Sequence, residues 1–298
     1  MMFEDTRAEL RQLGLPDRDP GDLPASAKRF ADGGQYKIEI ATVNTIEAAT
    51  CVLDFCESEN TRVDKLTHTS GITFMLDEEI RDFVQLAAER KLELILSPGP
   101  RGVLDIGAQV KVNSVAAHAG GYRLRGTEQL IHAIEDVKRA VALGCRGINC
   151  WDEGLLYILS EMRKNGAMPA DLHLKASASM GVCNPVHCKL IEGMGADSIN
   201  LQRDLPLNVI AAIRAAVDVP LDIHSDNPAM SGGFMRLYDA PEFIRIASPL
   251  NIKAGNSAFP AHDMKPSKEQ ALQMAQIIVQ LDKMIKQYNP EAIQSISN

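Results

Sequence analysis

The feature that most constrains this chain is a rhythm that sets in after Tyr36 and runs nearly to the end. A short β-type run, a polar or glycine-containing turn and a longer stretch with helical spacing recur eight times. The strand candidates are Lys37 to Val43, Arg62 to Thr67, Leu92 to Ser97, Arg146 to Cys150, Leu172 to Ala176, Ser198 to Leu201, Leu221 to His224 and Asn251 to Lys253. Helix starts fall between them: Asn44 with Glu47 three later, Asn184 before Pro185, Pro206, Pro241, and Ser267 with Gln270 as a capping box. Alternating strands and helices imply parallel pairing with right-handed crossovers. Eight such units over about 260 residues fit a closed barrel better than an open sheet. The expected fold is α/β, a single (β/α)8 TIM-like barrel over residues 36–290. Residues 1–35 form an N-terminal helix and irregular arm, and 291–298 a C-terminal tail. Neither G-x-G-x-x-G after the first strand nor the P-loop pattern is present, which disfavours an open nucleotide-binding sheet. The connection from Gly99 to Gly126 is longer than the others, rich in glycine and small residues, and has the length of a lid-like segment.

Composition narrows the partners. Of 298 residues 45% are hydrophobic and 23% charged, enough for a large core. The net charge of −8 comes without any Lys/Arg block, so nucleic acid and anionic membrane surfaces lack electrostatic support. No apolar run approaches the roughly 20 residues of a membrane span. The acidic, amphipathic opening is unlike a secretory leader, and six cysteines are too few for a disulfide scaffold; cytoplasmic residence with reduced thiols is expected. A small-molecule substrate is the expected partner. An apolar stripe on the helix from Lys268 to Tyr288 leaves a homo-oligomer open.

In this architecture chemistry sits at the carboxyl ends of the strands. Glu39, Lys175, Asp222 and Lys253 interrupt otherwise apolar strands, and a charge placed there must be solvated, paired or ligated. The bland alternative is an ion-pair layer. The catalytic alternative is a desolvated lysine, Lys175 or Lys253, that sheds its proton easily and serves as general base or Schiff-base nucleophile, with Glu39 as proton shuttle and His68 beside it. On that reading Lys175→Met removes activity at little cost in stability. Arg101 and Arg203 suit a carboxylate or phosphate, and Ser177, His224 and Asp226 complete a substrate-binding set. The glycine turns at Gly232-Gly233 and Gly255-Asn256 offer backbone N–H groups to a phosphate. His224, Asp226, His68 and Glu39 leave a divalent ion open as cofactor, but no H-E-x-x-H occurs, so no metal ligands are assigned. Three cysteine pairs share one spacing, yet Cys145 and Cys150 bracket a strand and cannot chelate together. No iron–sulfur cluster is expected, and Cys150 with Cys183 is the one pairing that could bring a reactive thiol to the mouth.

Several phrases are similar to those of compact barrel proteins of the U32 peptidase family: Q-Y-K-I-E-I-A from Gln35, L-T-H-T-S-G from Leu66, G-P-R from Gly99, I-E-D-V from Ile134, K-A-S-A-S-M-G-V-C-N-P from Lys175 and D-V-P-L-D-I from Asp218. The resemblance runs from about Asp19 to Phe259 and implies a TIM-like barrel and a hydrolase. This chain has E-I-A at Glu39 to Ala41 where relatives tend to have E-I-P, and it lacks the four-cysteine cluster of the hydroxylating branch. The expectation is therefore a hydrolase acting on a small anionic or peptide-like substrate. The alternative from the residues themselves is a lyase, aldolase or isomerase.

Overall fold

A computed structural model describes residues 3–99, 123–229, 232–259 and 264–296. Eight parallel strands close into a barrel: β1 (Tyr36–Ile40), β2 (Lys65–His68), β3 (Glu93–Leu96), β4 (Gly147–Cys150), β5 (His173–Ala176), β6 (Ser198–Asn200), β7 (Leu221–His224) and β8 (Leu250–Ala254). They follow one another around the barrel, and β8 closes on β1. Helix α1 (Glu4–Gln12) precedes the barrel. The helices α2 (Ile46–Ser58), α3 (Asp77–Arg90), α4 (Gly126–Ala142), α5 (Glu153–Lys164), α6 (Pro185–Gly193), α7 (Leu207–Ala216), α8 (Ala240–Ala247) and α9 (Lys268–Tyr288) lie between or after the strands. A short antiparallel ribbon, Asp226–Asn227 against Phe234–Met235, follows β7.

Most expected helix starts hold. Asn184 accepts from the His187 amide at the start of α6, and Ser267 with Gln270 forms the capping box of α9. At α2 the cap is Thr45 rather than Asn44, because the Asn44 side chain accepts from the Thr69 amide at 2.9 Å and ties β1 to β2 instead. β1 stops at Ile40 rather than Val43, since Thr42 turns to a φ of 64°. β2 starts at Lys65, because Asp64 ahead of it accepts from Gln294 of the C-terminal tail at 2.7 Å and from the Ile38 amide at 2.8 Å. The arm after α1 lies against the helix layer, where the Ser26 amide donates to the Arg245 carbonyl at 2.8 Å. The long connection after β3, with Arg101 and His118, lies outside the described residues except at its ends.

The strands alternate, which is unusual where a parallel sheet is covered on both faces. Outward positions are apolar almost throughout: Ile38 and Ile40, Leu66, Leu94 and Leu96, Ile148, Leu174, Ile199, Ile223 and Ile252 are all buried. They pack on Phe83, Val137, Leu155, Ile191, Ile213, Phe243 and Ile278 of the helices. At roughly 25 cal/mol per Å² of apolar surface, this shell is the dominant favourable term in the fold. The inward positions are different.

Candidate active site in the barrel interior

Period-two alternation with the strand register puts Lys37, Glu39, Lys65, Thr67, Glu93, Asn149, His173, Lys175, Ser198, Asn200, Asp222, His224, Asn251 and Lys253 on the inner face. TIM barrels ordinarily fill this space with layers of branched apolar side chains, four per layer from alternate strands. Here the layers are polar except at Ile95. One holds Glu39, Ile95, Lys175 and Asp222; the next toward the mouth holds Thr67, Asn149, Asn200 and Lys253.

Hydrogen bonds tie the layers together. Lys175 Nζ lies 2.8 and 2.6 Å from the two Glu39 oxygens and 2.5 Å from Asp222 Oδ2, with all three side chains fully buried. Lys253 Nζ contacts Glu39 Oε1 at 2.9 Å, and the Thr67 hydroxyl donates to the same oxygen at 2.5 Å. Asn251 Nδ2 donates to Asp222 Oδ1. Toward the strand starts, Lys65 pairs with Glu93 at 2.8 Å and Lys37 pairs with it too. The inner face thus carries four lysines against three carboxylates.

That imbalance has an electrostatic outcome. Burial pushes the Glu39 carboxyl up, but the charges of Lys175, Lys253 and Lys65 outweigh it and hold the group well below the ordinary carboxylate range. Glu93 is drawn down to about 2 because Lys65 and Lys37 outweigh its own burial. Lys253 shifts the other way. Burial and the neighbouring Lys175 charge outweigh Glu39 and Asp222, and its ammonium falls to about 8. Lys253 therefore holds its proton less tightly than an ordinary lysine, one layer above Glu39 and Lys175.

The structure brings Glu39, Lys175 and Lys253 together as the sequence suggested. Ser177 and His224 occupy inner positions just above them; Ser177 accepts from the Ser179 amide at 3.2 Å, and His224 is the register partner of Lys253. His68 is not part of this group. It follows Thr67 and so points outward, where its ring meets Phe83 of α3 edge-on with centroids 5.3 Å apart. Asp226 is committed elsewhere. Its carboxylate accepts from the Gly255 amide at 2.9 Å and from the Ser257 amide and hydroxyl at 2.6 and 2.7 Å. It thereby fills with its own charge the nest that the Gly255-Asn256 turn offered to a phosphate. Arg203 lies half-buried in the turn after β6, and Arg101 is outside the described residues. Cys150 faces outward and is fully buried, and burial pushes its thiol up, so it is no partner for the exposed Cys183 at the mouth. Among the described residues no group of three or more His, Cys, Asp or Glu is placed to hold a metal ion.

Sequence reasoning missed Lys37, Lys65, Thr67, Glu93, Asn149, Asn200 and Asn251. Their signal was the strict alternation in K-I-E-I, K-L-T-H, G-I-N-C and L-N-I-K, which a single charge in an apolar run does not reveal. Asn149 and Asn200 each bury a side-chain oxygen with no hydrogen-bond partner among the described residues.

Comparison with known proteins agrees with the family resemblance. The model of peptidase family U32 matches residues 123–227, which span β4 to the end of β7. No curated protein matches. Among solved structures, the YdjI aldolase from Escherichia coli K12 is similar at 14% identity and a TM-score of 0.48, covering 88% of this chain and 94% of its own. The U32 peptidase Mk0906 is similar at 17% identity and a TM-score of 0.43, covering 76% and 96%. These structural likenesses assign no reaction to this chain.

Proposed function

We propose that the chain is a TIM-barrel enzyme in which Lys253 is the reactive amine, acting on a small carbonyl compound as a lyase or aldolase. The carrying observation is that Lys253, on the inner face one layer above Lys175 and with a single carboxylate contact to Glu39, has its ammonium drawn down to about 8. Lys175 is less suited: its ammonium is held by Glu39 and Asp222 at once. In this reading the neutral Nζ attacks the carbonyl carbon. Glu39, 2.9 Å away, first takes the proton that leaves Nζ neutral; after attack one nitrogen proton passes to the former carbonyl oxygen, and Glu39 then gives its own proton to that hydroxyl, which leaves as water. The iminium left behind draws in the electron pair of the Cα–Cβ bond as that bond breaks; the β-hydroxyl of the leaving fragment gives its proton to the Glu39 carboxylate and becomes a carbonyl, and the enamine is then protonated and hydrolysed by water to free Lys253. The buried oxygens of Asn149 and Asn200 suit substrate hydroxyl donors, and Arg203 at the mouth suits an anionic group.

The family match favours a second reading, hydrolysis, in which the same neutral amine takes a proton from the water that attacks a peptide carbonyl. One experiment separates them. Borohydride is added to the protein with a panel of 2-keto acids and small aldehydes, and intact mass and peptide mapping locate any adduct, while a peptide panel is assayed for cleavage. A reduced adduct on Lys253 supports the lyase; peptide cleavage that depends on Lys253 with no adduct supports the hydrolase. Neither result, with the fold intact, removes Lys253 from catalysis.

A further inference from the structure

Asp226 is fully buried at the carboxyl end of the barrel, and the proposed reaction leaves it unused. A carboxylate is costly to take out of water unless donors surround it, and here the donors come from one stretch of chain. Oδ1 accepts from the Gly255 amide at 2.9 Å, and Oδ2 accepts from the Ser257 amide and hydroxyl at 2.6 and 2.7 Å. The chain leaves β8 through Gly255, whose φ of 93° belongs to the left-handed region that favours glycine. Met274 of α9 backs this turn, close enough that a Cβ at Gly255 would stand 3.2 Å from its own Cβ.

Ser225 grips the same strand one step earlier. Its amide donates to the Lys253 carbonyl at 2.9 Å and its hydroxyl to the same oxygen at 3.0 Å. The contact of that hydroxyl with Asp226 Oδ1 is longer, at 3.4 Å, so its single proton goes to Lys253. The backbone is thus held on both sides of Ala254, at the Lys253 carbonyl by Ser225 and at the Gly255 amide by Asp226. On the β7 side the strand register ends at the Lys253–His224 pair, and from there the hold on β8 passes to these two residues.

We infer that Asp226 is a positioning residue for Lys253. By fastening the end of β8 it keeps the Lys253 amine beside Glu39 and out of water; its service to catalysis rests on the reading of Lys253 as the reactive amine. Charge and position act here in opposite directions. Lys253 faces Glu39 of β1, Lys175 of β5 and Asp222 of β7, with His224 beside it, and all four stay in place in the variants below. Asp226→Asn removes a negative charge, which by itself lets the amine lose its proton at lower pH. A loosened strand end instead admits water to the ammonium, relieves the burial that draws Lys253 down, and moves its midpoint up toward the ordinary 10.5.

NMR titration of the full chain, with lysines carrying carbon-13 at Cε, reads this directly, the Lys253 signal being the one lost in Lys253→Met. The midpoint is expected near 8 in the wild type and about one unit higher in Asp226→Asn. A smaller rise is expected in Ser257→Ala, which removes one donor and keeps the charge. A midpoint that stays or falls in Asp226→Asn overturns the role even where the melting temperature drops, because a purely structural carboxylate costs stability without moving the amine. If Asp226→Asn does not fold, Ser257→Ala decides, and an unchanged midpoint there overturns it. No substrate enters this titration, so borohydride trapping on the same proteins reads the reaction separately. A wild type without an adduct but with the expected shifts removes the carbonyl chemistry and supports the positioning, whereas a wild-type midpoint at 10.5 overturns both.

Discussion

Lys175 and Lys253 are the same residue type on the same inner face, and their surroundings give them opposite work. Lys175 is enclosed by Glu39 and Asp222 at 2.5 to 2.8 Å, so Lys175→Met leaves two buried carboxylates short of a cation. Breaking such a cluster from one side costs about 3–5 kcal/mol. Urea denaturation should show that loss, contrary to the expectation from sequence that this substitution is cheap; a loss below about 1 kcal/mol would mean that the two carboxylates find other partners. Lys253 has one carboxylate contact, and the fraction of neutral amine grows as pH passes its value of about 8. The rate of adduct formation with a carbonyl substrate should therefore rise with pH and reach half its maximum near 8. A profile flat from neutral pH upward would argue against Lys253 as the nucleophile. Glu39→Gln removes a charge that favours the protonated amine, and should move the midpoint to lower pH.

At the scale of elements, the barrel depends on close approach as well as on pairing. Gly147 begins β4 on the inner face, where a Cβ would stand 2.3 Å from the Leu94 carbonyl oxygen and 2.5 Å from Ile95 Cδ1. Gly147→Ala should force β3 and β4 apart and lower stability by about 1–3 kcal/mol, visible as a reduced melting temperature. Helix α9 tests a gentler term. Its capping box joins the Ser267 hydroxyl to the Gln270 amide and the Gln270 side chain to the Ser267 amide, and Ser267→Ala should cost about 1 kcal/mol with the site unaffected.

The molecule as a whole turns the common barrel plan inside out in polarity: an apolar shell lies between strands and helices, and a charged column runs up the middle. Such a column makes stability depend on pH. Glu93 has its folded value drawn down to about 2 from an ordinary 4.5, so the folded state binds its proton less readily than the unfolded chain. Its stabilisation is present above about 4.5 and is lost as pH falls through the folded value near 2. Melting temperature should fall across that window, and Glu93→Gln should flatten the fall. An equal slope in the variant would place the acid sensitivity at other carboxylates.

The eight-fold alternation of short strands and capped helices was enough to specify a closed parallel barrel, because period and helix signals are local properties of the chain. The lone charges of Glu39, Lys175 and Lys253 were legible for the same reason: a charge in an apolar run must find a partner wherever the run goes. Which partner it finds is not local. His68 and Thr67 are neighbours in sequence, and only the closure and register of the barrel send the threonine to Glu39 and the histidine to Phe83. Asp226 looked available until the fold laid the Gly255 and Ser257 amides against it. The drop of Lys253 to about 8 comes first from its burial inside the closed barrel and then from the Lys175 charge of β5, against the opposing pull of Glu39 and Asp222, and that balance exists only once the strands have closed.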